Sequence, residues 1–174
     1  MLETRLIGRD EFGDINLPNQ PFTLFGKLFP SYAGGQWTYE ISLSDSTEEM
    51  CFPDENYDFD RMSPACAFIG VYDGGACVGL AVMRNAPFGY MYLYDLKVNR
   101  EYRGKGAAQM LIEEAKRVAS RRGYKGIYTI GQDNNLGACL FYLKSGFRIG
   151  GLDTEVYKGT NQEGKKDIYF YLDI

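Results

Sequence analysis

The sequence contains no histidine, and that absence removes a large share of enzyme chemistry at once. No Ser-His-Asp or Cys-His constellation can form, so hydrolysis through an imidazole-activated nucleophile is excluded. A zinc site would need an unusual ligand set. The four cysteines, Cys51, Cys66, Cys77 and Cys139, are scattered and form no C-x-x-C pair. They read as reduced thiols of a cytosolic protein, and no metal is expected. Long apolar runs are missing as well: nothing approaches the roughly 18 uncharged residues that a membrane helix needs. Met1-Leu2-Glu3-Thr4-Arg5 lacks the basic start and apolar stretch of a secretory signal. The expected setting is therefore the cytoplasm, without a membrane partner. Basic residues do not gather into a stripe interleaved with aromatics, and the net charge is −4, so nucleic acid is not expected as a partner either. Any general base must be a carboxylate, a tyrosine, a lysine, an amine or water.

What is present suits one folded domain. A chain of 174 residues with 45% hydrophobic and 24% charged side chains can organise a single core and is too apolar for disorder. Residues 1–65 read as irregular, with short apolar stretches at 22–29 and 37–43 between Pro18, Pro21, Pro30 and Gly34-Gly35. An acidic segment follows, carrying Asp45, Glu48, Glu49, Asp54, Glu55, Asp58 and Asp60. It reads first as a solvated loop.

From Ala67 the pattern becomes regular. Residues 67–72 and 76–83 predict two strands joined at Asp73-Gly74-Gly75, whose glycines suit a hairpin turn. Residues 90–98, aromatic and aliphatic, predict a third strand of an antiparallel meander. Ala107, Leu111, Ala115 and Val118, with Ala108, Ile112 and Ala119, then recur at helical spacing as one apolar stripe. Gly123 is a natural stop. A strand over 126–132, a helix over 136–145 with Asn134 or Asn135 as its cap, and strands over 147–157 and 167–172 complete an α/β domain. One right-handed crossover through the long helix is expected.

The informative stretch is Val98-Asn99-Arg100-Glu101-Tyr102-Arg103-Gly104-Lys105-Gly106-Ala107-Ala108. It joins a strand to a helix, its glycines allow a tight turn, and the amides of a helix N-terminus favour an anion. Arg103 and Lys105 add positive charge. The order fits neither a triphosphatase loop nor a dinucleotide fingerprint. By itself the loop is open between anion binding and a glycine-rich turn without a ligand.

Arg103-x-x-Gly106-x-Ala108 resembles the (Q/R)-x-x-G-x-(G/A) signature of the GNAT superfamily of N-acetyltransferases. Gln132-Asp133-Asn134-Asn135, Ala138, Phe141-Tyr142 and Gly146-Phe147 resemble its downstream motif. Phe25-Gly26-Lys27, Pro30, Trp37-Thr38-Tyr39, the acidic segment, Cys77-Val78-Gly79, Asp95 and Asp153-Thr154 extend the likeness to the streptothricin acetyltransferases over nearly the whole chain. The resemblance implies a GNAT fold: a mixed central sheet with an antiparallel meander and a splayed parallel central pair, flanked by helices. It implies a single domain over 1–174, with 1–65 on the acceptor side and 66–174 as the acetyl-CoA-binding core.

The implied reaction is direct acetyl transfer, in a ternary complex, from acetyl-CoA to a primary amine of a small cationic molecule such as streptothricin, an antibiotic-resistance activity. Protein N-termini, lysine side chains and polyamines are alternative acceptors, and a non-catalytic acetyl-CoA sensor is an alternative of another class. Monomer and homodimer are both open. Pantetheine would bond the main chain around Leu96, Lys97 and Val98, and pyrophosphate the amides of Arg103, Gly104, Lys105, Gly106, Ala107 and Ala108. Asn135 and Tyr142 would complete the cofactor contacts.

Deprotonating a lysine-like amine at pH 7 costs about 4–5 kcal/mol, and a carboxylate, directly or through water, can accept that proton. Asp95 is the first candidate. Streptothricin acetyltransferases tend to carry Glu-Asp where this chain has Tyr94-Asp95, so Tyr94 acting through water is a second. Tyr142 would protonate the departing thiolate. Glu48, Glu49, Asp54 and Glu55 would attract a polycationic acceptor, with Trp37, Tyr39 and Tyr57 lining its site.

Overall fold

A computed structural model describes residues 1–174. In chain order its elements are β1 (Leu2–Leu6), a 3-10 segment (Arg9–Asn16), β2 (Phe22–Ala33), β3 (Gln36–Met50), α1 (Phe59–Met62), β4 (Cys66–Asp73), β5 (Ala76–Arg84), β6 (Tyr90–Val98), a 3-10 turn (Arg100–Tyr102), α2 (Ala107–Arg121), β7 (Gly126–Gln132), α3 (Leu136–Lys144), β8 (Arg148–Asp153) and β9 (Asp167–Asp173). The order β1-β4-β5-β6-β7-β9-β8 makes a mixed seven-stranded sheet with one parallel pair, and β2 with β3 makes a second sheet. The expected meander is present, with β4, β5 and β6 paired antiparallel in succession.

The irregular reading of residues 1–65 is corrected. Residues 22–50 form an antiparallel hairpin turning at Gly34-Gly35, where both glycines take positive φ, +59° and +78°. That conformation matches the twist of a two-residue hairpin and is costly for other residues. Sequence reading misses the ribbon because most of it is exposed on both faces, so no inside-outside alternation marks it. Pro30 is tolerated because a two-stranded ribbon has only edge strands. The first carboxylates of the acidic segment, Asp45, Glu48 and Glu49, thus stand on β3 and not in a loop.

The chain divides into two compact units. The first comprises residues 1–21, 51–127 and Ile174; the second comprises residues 22–50 and 128–173. In the first, α2 contacts β1, β4, β5 and β6 and buries Ala107, Leu111, Ile112, Ala115, Val118 and Ala119. Each large aliphatic so buried contributes about 1.5–3 kcal/mol. The exposed pairs of Glu114 with Arg117 and Arg121 add little beside that. A separate cluster joins Ile7, Ile15, Phe68, Tyr72, Leu80 and Val82, with Tyr57, Phe59 and Met62 packed against it.

In the second unit α3 packs on β2, and Gly26 bridges to Asn135. A Cβ on Gly26 would lie 2.5 Å from the Ser42 carbonyl oxygen and 2.8 Å from Leu136 Cδ2, so only glycine fits this approach. The strand expected over 147–157 is shorter. Asp153 Oδ1 accepts the N–H groups of Glu155 and Val156 at 2.9 and 3.0 Å, and this side-chain turn ends β8.

Candidate active site

The first unit places two functional features on one stretch of chain. At the end of β6 the backbone passes through the 3-10 turn to Gly104 and Gly106, at φ +73° and +88°. Gly106 is the N-cap of α2 and supplies no side-chain cap bond, so the first-turn amides of a fifteen-residue helix lack intrahelical partners. A Cβ at Gly104 or Gly106 would meet nothing within 4 Å. The glycines are therefore demanded by φ, and the space over them is open. Such a turn presents N–H donors and a positive helix end to an anion.

Arg103 has a role that its charge does not announce. Its Nε donates to Val98 O at 3.0 Å, and its guanidinium reaches Pro21 O at 2.7 Å and Gln20 O at 3.3 Å. The Arg100 N–H donates to Gln20 Oε1 at 2.6 Å. The Arg103 side chain is thus committed to carbonyls that brace the loop, while Lys105 leans over the Tyr102 ring at 5.8 Å.

The second feature is a carboxylate cluster on β6. Between Leu93 and Asp95 the register with β5 shifts, so that Met83 faces Leu93 and Val82 faces Asp95. Tyr94 is the extra residue of this bulge. The bulge places Asp95 opposite Val82 and Lys97 opposite Leu80, both rows of the apolar cluster. Tyr57 joins them: its hydroxyl donates to Asp95 Oδ2 at 3.2 Å, and its ring lies 6.3 Å from that of Tyr94. Lys97 Nζ lies 3.2 Å from Asp95 Oδ2 and also pairs with Glu55 Oε2. Asn19 Nδ2 donates to Glu55 at 3.0 Å, and its N–H to Asp54 Oδ1 at 2.6 Å.

Burial pushes the Asp95 carboxyl above the ordinary carboxylate range, with Glu55 acting in the same sense and Lys97 opposing. Glu55 lies on the other side of its reference: burial would raise it, but hydrogen bonds from Lys97 and Asn19 hold it low. Burial and the neighbouring Asp95 and Glu55 raise the Tyr57 phenol, so it remains a neutral donor. A raised carboxylate beside a neutral donor and an ammonium is suited to accept a proton.

The second unit holds the remaining candidates. Tyr142 is 8% exposed, with its ring 5.6, 5.4 and 5.4 Å from those of Phe141, Phe147 and Phe170. Asn135 caps α3, its Oδ1 accepting from Ala138 N at 3.2 Å. Asn134 Oδ1 beside it is buried with no protein donor. Trp37 packs on Tyr32 across the hairpin, centroids 5.0 Å apart, and Tyr39 is exposed. Glu48 and Glu49 lie opposite Leu24 and Thr23 on the ribbon. The four acidic candidates therefore split: Glu48 and Glu49 belong to one unit, Asp54 and Glu55 to the other.

Residues 36–147, which span the loop, Asp95 and Tyr142, match the acetyltransferase (GNAT) family. The chain belongs to that family. It is 43% identical over 170 residues to a streptothricin acetyltransferase of Escherichia coli, covering 97% of this chain and 86% of that protein. It is 31% identical over 160 residues to streptothricin acetyltransferase A of Bacillus subtilis (strain 168), covering 91% and 92%. Among solved structures, one from Bacillus anthracis str. Ames, described as a streptothricin acetyltransferase in complex with acetyl coenzyme A, superposes with a TM-score of 0.90 at 26% identity over the full length of both chains.

Membership fixes the reaction class as acetyl transfer and turns attention to residues that motif matching passed over. Asn19, Gln20 and the side chain of Lys97 are among them, as is the hydrogen bond that joins Tyr57 to Asp95. Asn19 and Gln20 stand in a stretch without periodicity, and the convergence depends on contacts 36 to 83 residues apart in sequence.

Proposed function

We propose that this GNAT acetyltransferase moves the acetyl group of acetyl-CoA to a primary amine of streptothricin, in the cytoplasm. The observation that carries this reading is the likeness to streptothricin acetyltransferases over 97% and 91% of the chain. It includes the N-terminal residues and is not confined to the cofactor-binding motifs. The 174 residues would act as one catalytic domain, with 1–65 on the acceptor side.

The residues present fit the cofactor. The turn at Gly104 and Gly106 is open and rich in unpaired helix-start amides, as a pyrophosphate requires. The N–H groups of Arg103 and Lys105 donate to Arg100 O and Tyr102 O at 3.2 and 3.4 Å, so of the six expected amides those of Gly104, Gly106, Ala107 and Ala108 would hold the pyrophosphate directly, and the main chain of Leu96, Lys97 and Val98 the pantetheine. Asn135 holds its helix start in place, and the unpartnered Asn134 Oδ1 offers an acceptor to an amide N–H. Bound acetyl-CoA supplies an activated acetyl thioester.

Asp95 takes the proton of the acceptor's ammonium. Tyr57 and Lys97 both bond its Oδ2, which leaves Oδ1 for the incoming N–H. Tyr94, exposed beside it, borders the same cluster and can order a water. Tyr142 gives its hydroxyl proton to the thiolate. Glu48, Glu49, Asp54 and Glu55 draw in the cationic acceptor, with Trp37 and Tyr39 as aromatic contacts.

Thiol release from acetyl-CoA tests the assignment, with streptothricin set against spermidine, lysine and N-terminal peptides. Saturable turnover strongly preferring streptothricin is expected. Turnover confined to another amine would leave the family chemistry standing and remove the antibiotic.

A further inference from the structure

A lysine stands in the apolar row of β6. Lys97 pairs in register with Leu80, which is fully buried, and its own side chain is only 10% exposed. An ammonium so placed requires close partners. It has two, Asp95 at 3.2 Å and Glu55, which come from β6 and from the segment before α1.

The groups facing it are few. Tyr57 contributes its hydroxyl to Asp95 and its ring to Lys97, 5.9 Å from the ammonium. Asn19 holds Glu55, and Tyr94 borders Tyr57. Arg84 on β5 lies over the outer Tyr94 ring at 5.7 Å. Two carboxylates share one ammonium, so the cluster carries one uncompensated negative charge. That suits a single further ammonium.

We propose that Lys97 is a positioning residue for acetyl transfer: it holds Asp95 and Glu55 around one ammonium, leaving the site a single charge to be matched by the acceptor's amine. This rests on the reading of Asp95 as proton acceptor. Glu55 then supplies, from a different segment, the second carboxylate that Tyr94 does not provide. Lys97 keeps Asp95 ionised against the repulsion of Glu55; Glu55 opposes it. Their removal has opposite consequences.

The test follows the Asp95 carboxyl by carbon-13 NMR through a pH titration, alongside the acidic limb of kcat/KM for the acceptor. Lys97→Met should move both to higher pH, Glu55→Gln should move both to lower pH, and Lys97→Arg should stay near the wild type. Lys97→Arg also serves as the folded control if Lys97→Met proves unstable. Shifts absent from both Lys97→Met and Glu55→Gln, or in the same direction in both, would overturn the proposal and leave Lys97 a structural ion pair. The proton-acceptor reading fails separately: Asp95→Asn would keep wild-type turnover, while the titration of Asp95 in the other variants still reports on Lys97.

Discussion

The turn at Arg103–Ala108 and the cluster around Asp95 lie within a few residues of each other on one strand-to-helix passage, yet they are built by opposite means. The turn works through backbone: its donors are amides, its shape is set by two positive-φ glycines, and its one arginine is spent on carbonyls. The cluster works through side chains. Asp95 and Lys97 on β6 meet Glu55 and Tyr57 from the segment before α1. Residues Asn19, Gln20 and Pro21 tie both, through Asn19 to Asp54 and Glu55 and through Gln20 and Pro21 to Arg100 and Arg103. A backbone site leaves a short spacing pattern in the sequence. A side-chain site assembled across the chain leaves almost none.

The difference can be broken most sharply at Asp95. Asp95→Asn should lower kcat by about 100-fold or more, the usual worth of a general base, while acetyl-CoA affinity stays near the wild type. Thiol-release kinetics with calorimetric cofactor binding would check it. A matching loss of cofactor affinity would erase the distinction between the two features.

The turn should behave in the converse way. Gly106→Ala forces a Cβ into φ +88°, a strain of about 1–2 kcal/mol. The expected result is an acetyl-CoA KM raised about tenfold, as that strain converts, with the acceptor KM little changed. Lys105→Ala should do less, since the amides remain. Initial-rate kinetics with each substrate varied would separate the two.

The smallest effect concerns the acidic residues of the ribbon. Glu48→Gln with Glu49→Gln should raise the KM for streptothricin by roughly two- to fivefold at low ionic strength, and the difference should vanish in high salt. A KM insensitive to both changes would return β3 to the role of a solvated surface.

Much of this was legible beforehand, for definite reasons. Strands β4 to β7 and helix α2 sit at one or both faces of a core, so their apolar residues alternate or recur at helical spacing, and the expected spans fall within a residue or two of those observed. The ribbon of β2 and β3 buries little, and polar residues such as Asp45, Glu48 and Glu49 carry no trace of pairing. The loop was readable because φ demands glycine at fixed positions. Asp95 was reached through family resemblance. The contacts that Tyr57 and Lys97 make with it were not, because a bulge at Tyr94 decides which face Lys97 takes, and a bulge is a property of the pairing. Arg103 was read as a charge for phosphate because its carbonyl partners at Gln20 and Pro21 lie more than eighty residues away.

The most direct test is mass spectrometry of streptothricin incubated with acetyl-CoA and either the wild-type enzyme or Asp95→Asn. The predicted result is stoichiometric addition of one acetyl group as an amide by the wild type, and near-absence of that product with the folded variant. Unmodified streptothricin with the wild type, under conditions where another amine is acetylated, would contradict it.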